Sequence, residues 1–170
     1  MIVSRSESRL QAELKQSRPF ASPVEEAFIS VLKTADLLTR VLDQHMAGHD
    51  LSHQQYNVLR ILGGAGPDGI PTLAIAGRLI ECTPGMTRLL DRMELKGLVL
   101  RRRCPEDRRQ VLCYATPKGN GLVELLEPIV SSLSDRCFEQ IQPAEVQAFI
   151  EVLERIRERA ARIEASGQAR

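Results

Sequence analysis

Several features that define large classes of protein are missing from this chain of 170 residues. The longest stretch that is almost free of charge, residues 61–75, is rich in glycine and proline, which excludes a membrane-spanning helix there. The first fifteen residues carry five charges where a secretion signal would need an apolar run. We therefore expect a cytoplasmic protein without membrane attachment.

The motifs of common enzyme classes are also absent. The glycine-rich run at 63–69, GGAGPDG, lacks the lysine and the preceding apolar strand of a phosphate-binding loop. The few histidines lie apart in sequence from candidate nucleophiles, and no carboxylate pair stands in an apolar setting. Four cysteines, at 82, 104, 113 and 137, form neither a metal-binding pair nor a disulfide framework, so we expect reduced thiols. These absences predict a protein that is not an enzyme and needs no cofactor or metal.

The net charge of +1 conceals an uneven distribution of basic residues. Residues 78–118 hold ten bases and five acids, whereas residues 119–170 hold six bases and nine acids. A basic block between neutral or acidic flanks is typical of a module that binds a polyanion. The alternative is that the arginines at 101–103 only solvate a strand edge.

Long amphipathic helices are predicted towards both ends of the chain. Apolar residues recur at alternating steps of three and four from Pro23 onward, and a similar stripe follows Pro143. A stripe of that length on a solitary helix needs a partner to cover it. We assign residues 23–50 and 120–165 to dimerisation and expect residues 1–22 to form a mobile or arm-like segment.

The middle of the chain begins with a strong helix start. Ser52 and Gln55 stand at the two positions of a capping box, and Leu51 and Tyr56 occupy the flanking staple positions. The apolar pattern of this helix stops at two glycines, after which residues 63–71 are predicted to be loop.

Two further helices and a hairpin are predicted downstream. A short helix covers residues 72–79, and the next one begins with Thr83 as N-cap and Pro84 in the first turn. Residues 98–104 and 110–115 have the composition of two strands. Two short helices followed by a basic hairpin are the order of a winged helix–turn–helix, which we place at residues 51–119. The predicted fold is thus mostly α with a small β-hairpin wing, flanked by long dimerisation helices from both chain ends.

The second helix of this motif suits the major groove of DNA. Its apolar residues, Leu89, Leu90 and Met93 among them, line one face, so the opposite face is free to meet base edges. Arg88 can donate two hydrogen bonds to guanine O6 and N7, whereas a helix N-terminus suits phosphate. The candidate DNA-contacting residues of this helix are Thr83, Pro84, Gly85, Thr87, Arg88 and Arg92. The alternative is that Arg92 and Lys96 only pair with Asp91 or Glu94 along the helix.

The tip of the hairpin is a second candidate contact. Arg108 and Arg109 could enter a narrow minor groove, where the negative potential is concentrated. Asp107 would then orient an arginine, because a carboxylate that faces phosphate is repelled. The alternative for this segment is a solvated turn.

A resemblance to a known family covers the region from about Ser52 to Gly119. The run Arg88-x4-Met93-Glu94-x2-Gly97-Leu98-Val99-x7-Asp107-Arg108-Arg109-x6-Thr116-x2-Gly119 resembles the signature of the MarR family of bacterial transcription regulators. The resemblance implies a homodimer with intertwined terminal helices and two winged domains on a palindromic operator in double-stranded DNA. It further implies a regulator, most simply a repressor, that a small aromatic or phenolic ligand releases.

Several residues are candidates for sensing a signal. His45, His49, Tyr56 and Arg60 could line a ligand pocket, with Arg60 meeting a carboxylate, although a surface role for Arg60 is the alternative. Metal sensing by the histidines at 45, 49 and 53 is disfavoured because Gly48 and the Ser52 cap interrupt the helix between them.

Redox sensing and binding of a protein partner are alternative functions that the sequence also allows. Cys104 follows three arginines that would favour its thiolate, which makes it the candidate for redox sensing. The other cysteines, Cys82, Cys113 and Cys137, are expected to be small core or turn residues. A winged helix that binds an acidic protein partner is the remaining alternative to a DNA-binding regulator.

Overall fold

This computed structural model describes residues 8–80, 85–107 and 109–167. Within them it contains seven α-helices and three short strands. The helices are α1 Arg9–Glu13, α2 Pro23–Ala47, α3 His53–Gly63, α4 Thr72–Ala76, α5 Met86–Leu95, α6 Pro117–Phe138 and α7 Pro143–Gly167. The strands are β1 Ile70–Pro71, β2 Val99–Arg103 and β3 Val111–Ala115. The predicted fold class, mostly helical with a small β wing, is confirmed.

The chain divides into two compact units, the first ending at Leu126 and the second beginning at Glu127. In the first unit, α2 begins where Ser22 accepts a hydrogen bond from the backbone N–H of Glu25, and Pro23 occupies the first helical position. The apolar stripe of α2 is exposed, with Phe28 at 62%. Within the described residues, no helix combines the length and apolar character needed to span a bilayer.

Helix α3 starts as the sequence predicts. The side chain of Ser52 accepts from the backbone N–H of Gln55, and the side chain of Gln55 accepts from the backbone N–H of Ser52. Leu51 and Tyr56, the staple residues, are both buried. This double cap holds the start of the helix whose Val58 and Leu59 are fully buried in the core.

The segment after α3 is more ordered than expected. Residues 63–71 were predicted to be loop, but they contain a short 3-10 turn, Gly66–Asp68, and the two-residue strand β1. A strand this short cannot show a twofold sequence period, and Pro71 marks it as an edge strand. Helix α4 is also shorter than predicted, because it ends at Ala76 with Gly77 as its C-cap.

The three strands form one antiparallel sheet in the order β1-β3-β2. Cys113 on β3 is paired with Ile70 of β1 on one side and with Arg101 of β2 on the other, so β3 is the central strand. Thr116 immediately precedes helix α6, and its hydroxyl accepts from the backbone N–H of Gly119 and donates to the carbonyl oxygen of Gly97. The predicted hairpin is therefore confirmed, and a third strand joins it.

The second unit contains the end of α6 and the whole of α7. Helix α7 begins at Pro143, as predicted, and a hydrogen bond from the backbone N–H of Gln142 to the Glu145 carboxylate lies at its start. Its apolar stripe is exposed along its length, from Phe149 through Ile156 to Ile163. No residue of α7 is buried in the single chain.

Candidate nucleic-acid interface

The helix that would read DNA, α5, starts later than the sequence suggested. Its N-cap is Gly85, which has the left-handed backbone conformation (φ +98°), and its first helical residue is Met86. A residue with a side chain would be strained there, so glycine suits this position. The predicted start, with Thr83 as N-cap and Pro84 in the first turn, is wrong for α5, and both residues lie outside the described part of the chain.

The two faces of α5 separate as predicted. The side chains of Leu89, Leu90 and Met93 are buried, with at most 1% of each residue exposed. Thr87, Arg88 and Arg92 are exposed on the opposite side, and Met86 is half-buried. The exposed side chains begin in the first turn of the helix, which is the part that a groove-reading helix brings closest to base edges.

The wing tip is ordered by one carboxylate. Asp107 Oδ1 accepts from the backbone N–H of Arg109 at 3.0 Å and from its Nε at 3.3 Å, while Oδ2 accepts from Gln110 Nε2 at 3.3 Å. The backbone hydrogen bond from Arg109, followed by its side-chain bond, lowers the pKa of Asp107. Arg109 itself is 93% exposed. Asp107 thus holds an exposed arginine in place, and Arg108 lies outside the described residues.

An ion cluster that the sequence analysis missed ties α5 to the sheet. Arg101 on β2 places Nη2 at 2.5 Å from Asp91 Oδ1 and at 2.6 Å from Glu94 Oε2, and its Nε lies 2.9 Å from the same Glu94 oxygen. The hydrogen bond from Arg101 lowers the pKa of Glu94. The only sequence signal was a pair of acids three residues apart, followed by an arginine on the next element.

The alternative interpretation of Lys96, an ion pair with an acid along its own helix, is wrong. Its Nζ lies 2.9 Å from Asp50 Oδ1, and it also donates to the backbone oxygen of Asp50. Lys118 in turn donates to the backbone oxygen of Lys96. The C-terminal end of α5 is therefore connected to the segment that joins α2 to α3.

Comparisons with known proteins agree with this geometry. The model of the MarR family matches residues 51–111. A crystal structure of a MarR transcription factor from Planctomyces limnophilus is 36% identical, covers 80% of this chain and 98% of its own, and has a TM-score of 0.61. The chain belongs to the MarR family.

Two further solved structures share the fold, and a curated transcriptional repressor is similar in sequence. The Staphylococcus aureus MepR–DNA complex (TM-score 0.70, 22% identity) covers 78% of this chain and 96% of its own. Bordetella bronchiseptica BpsR, whose DNA binding is regulated by 6-hydroxynicotinic acid, has a TM-score of 0.71 at 22% identity over 82% and 97% of the two chains. The Bacillus subtilis transcriptional repressor YetL is 26% identical over 128 residues, which are 75% of this chain and 77% of YetL. This chain is a winged-helix, DNA-binding transcriptional regulator.

The candidate ligand residues differ widely in exposure. His45 and Arg60 are exposed, and His45 Nδ1 lies 2.8 Å from the backbone oxygen of Val41. His49 is half-buried, whereas Tyr56, in the first turn of α3, is buried. Arg60 thus occupies the surface position that was its alternative interpretation, and Tyr56 is a core residue of the winged domain in the single chain.

His53 has a structural partner. Its backbone N–H and its Nδ1 lie 2.8 Å and 2.9 Å from Asp43 Oδ1, which links α2 to the first turn of α3. Partial burial acts to raise the pKa of Asp43, but the hydrogen bonds from the His53 backbone and side chain lower it. Among the described residues, no group of three or more His, Cys, Asp or Glu side chains could hold a metal ion.

The cysteines occupy different environments. Cys104 follows the end of β2, is half-buried, and donates its backbone N–H to the oxygen of Gln110 at 3.0 Å. Cys113 is buried, as expected for a core residue, and burial raises the pKa of its thiol. Cys137 is exposed on α6, so its assignment as a core or turn residue is wrong. Cys82 lies outside the described residues.

Proposed function

We propose that the protein is a cytoplasmic repressor that binds a palindromic operator as a homodimer. The observation that carries this proposal is the exposed polar face of α5, with Arg88 and Arg92 on a helix whose opposite face is buried. The wing follows this helix in the chain and presents the exposed Arg109, which Asp107 holds by hydrogen bonds. A helix and a cationic hairpin on one small domain suit the major groove and the adjacent minor groove.

Within this proposal, each exposed residue has a role that its chemistry supports. Arg88 reads guanine through O6 and N7, because its planar fork can donate two parallel hydrogen bonds. Thr87 and the N-terminus of α5, near Gly85, contact phosphate, and Arg92 adds a cation further along. The residues Thr83, Pro84 and Arg108 complete the proposed contact set.

The dimer is proposed from apolar surface that the single chain leaves uncovered. On α2 the exposed residues include Val24, Phe28 and Leu32, and on α7 they include Phe149 and Ile156. Covering such stripes is favourable by about 25 cal/mol per Å² of apolar surface. We propose that residues 23–50 and 120–165 form the interface, that residues 1–22 act as an arm, and that residues 51–119 bind DNA. Twofold symmetry would then place the two α5 helices about 34 Å apart, one turn of DNA.

A small aromatic or phenolic ligand is the proposed inducer. BpsR, which shares this fold, responds to a hydroxylated aromatic acid. The residues proposed to line the pocket are His45, His49, Tyr56 and Arg60, of which Arg60 can pair with a carboxylate. Any pocket that includes the buried Tyr56 would require the surroundings of α3 to open.

The test is DNA binding as a function of salt. The full chain is used to enrich a duplex from a random pool, and affinity for that duplex is measured by fluorescence anisotropy over a range of salt concentrations. If each half of the dimer neutralises three or four phosphates, log K against log [salt] should have a slope of roughly −5 to −7. Arg88→Ala should weaken operator binding by about 1–3 kcal/mol while the protein remains dimeric in sedimentation.

The controls distinguish the competing functions. Arg136→Ala removes the same charge from an exposed position on α6, outside the proposed DNA contacts, and should bind the operator as the wild type does once sedimentation has shown that this variant is still dimeric. A slope near zero, or a wild-type protein that sediments as a monomer in dilute buffer, would refute the proposal. A wild type that enriches no duplex at all would favour a winged helix that binds an acidic protein partner.

A further inference from the structure

Arg101 differs from its neighbours in the basic strand β2. Its side chain is 25% exposed and binds two carboxylates, whereas Arg102 and Arg103 on the same strand are exposed. Arg102 lies over the ring of Tyr114, at 6.0 Å from the centroid. Arg101 is thus the member of this basic run that turns towards α5.

The contact of Arg101 with Glu94 has several hydrogen bonds and a defined direction. Three bonds join the two residues, because Glu94 also accepts from the backbone N–H of Arg101 at 3.2 Å. Asp91 and Glu94 are three residues apart, so they lie on the same side of α5. The guanidinium therefore contacts two acids one helical turn apart on the same side of α5. Contacts at two points of the helix resist both sliding and rotation of α5 against the strand.

The position of Arg101 in the sheet makes this bridge rigid. Arg101 is paired with Cys113, which is buried on the central strand β3. The wing tip with Asp107 and Arg109 lies at the far end of the same hairpin. The strand that carries the tip is thus fastened to the helix that carries Arg88.

The charge of the cluster argues against a direct role in binding phosphate. One guanidinium between two carboxylates leaves a net charge of −1 on the three side chains. Because Arg101 is already engaged by both acids, it has little capacity left to neutralise a phosphate. Counting it within the basic block, as the sequence suggests, overstates the positive charge that faces DNA.

We propose that Arg101 is a positioning residue that holds the recognition helix α5 and the wing in the one relative orientation in which both reach their grooves. This inference rests on the proposed DNA contacts. When two contacting elements are held rigidly, binding of the first raises the effective concentration of the second. Loosening the bridge should therefore lower affinity for the operator, whereas non-specific binding to the phosphate backbone needs no fixed orientation.

The experiment compares the enriched operator duplex with a scrambled duplex of the same length and composition. Arg101→Met removes the bridge, and the double variant Arg101→Met with Glu94→Gln restores the net charge of the cluster. We expect both to lose at least about tenfold in operator affinity, the equivalent of one lost base contact. Affinity of the double variant for the scrambled duplex should stay within about twofold of wild type, with an unchanged salt slope. Arg103→Met is the matched control on the same strand and should keep the wild-type ratio of the two affinities.

Glu94→Gln alone separates positioning from simple electrostatics. Removing an acid near DNA strengthens binding to both duplexes if only charge matters. The positioning role predicts instead that the ratio of operator to scrambled affinity falls, because the charged bridge is weakened. This variant also keeps the test available if Arg101→Met fails to fold by circular dichroism.

Three outcomes would overturn the inference. A salt slope that is smaller by about 1 in the charge-restored double variant would mean that Arg101 contacts a phosphate directly. An unchanged affinity ratio in folded Arg101→Met would mean that the bridge serves stability alone. An unchanged or increased ratio in Glu94→Gln would show that electrostatics dominates. Failure of the proposed function is distinguishable, since the wild type itself would then show no preference for the operator.

Discussion

Gly119 on α6 lies against the residue that precedes β2 and gives a sharp test of the packing. A Cβ added there would overlap the backbone oxygen of Leu98 and would lie 2.9 Å from Leu59 Cδ2. The carbonyl cannot rotate away freely, because Leu98 O also accepts from the Thr116 N–H and lies within hydrogen-bond distance of its hydroxyl. Gly119→Ala should therefore destabilise the fold.

The matched control for this substitution lies two residues further along the same helix. An added Cβ at Gly121 has no other atom within 4 Å. Alanine is favoured over glycine inside helices by about 1 kcal/mol, so Gly121→Ala should be neutral or stabilising. Comparing the two variants cancels most of this helix preference. The difference isolates the clash, which for overpacking in a core is about 1–3 kcal/mol.

Urea denaturation followed by circular dichroism measures this difference. One fixed protein concentration is used, because the proposed dimerisation would make stability depend on concentration. With a slope of about 2 kcal/mol per molar urea, the midpoint of Gly119→Ala should fall roughly 0.5–1.5 M below that of Gly121→Ala. Equal midpoints would refute the reasoning, because they would mean that α6 can move away from the Leu98 carbonyl at no cost.

Two further substitutions test local features. Ser52→Ala removes the serine half of the α3 capping box and should cost about 1 kcal/mol in the same urea assay; an unchanged midpoint would show that the cap contributes nothing. Glu94→Gln tests the bridge to Arg101 without DNA. Because the pKa of Glu94 is lowered in the folded state from its ordinary value of 4.5, the stabilisation is present above that pH and is lost as the pH falls through the folded value. The midpoint gap between wild type and Glu94→Gln should narrow as the pH falls below 4.5, and a widening gap would contradict the assignment.

The expectations that the structure confirms are those that depend on near neighbours in sequence. The Ser52–Gln55 capping box, the start of α2 at Pro23 and the buried face of α5 each involve residues within one or two helical turns. Their side chains meet because the helix itself brings positions i, i+3 and i+4 together. Sequence spacing alone is then sufficient.

Two features that the sequence did not predict depend on partners that are distant in sequence. Strand β1 exists because Ile70 pairs with Cys113, and no pattern within two residues could reveal that. The same holds for the three arginines at 101–103. They are identical in type, and Arg101 differs from the other two because the fold places Asp91 and Glu94 beside it.

By itself, the sequence determined the class of molecule: long amphipathic helices towards both ends, a capped helix, and a basic hairpin in the order of a winged domain. The tertiary structure decided which charged side chains are exposed and which are paired with other residues of the protein. The physical reason is one of range. Caps and amphipathic faces arise from bonds between neighbouring turns, whereas the role of a cation is set by whichever carboxylates the folded chain brings within about 3 Å of it.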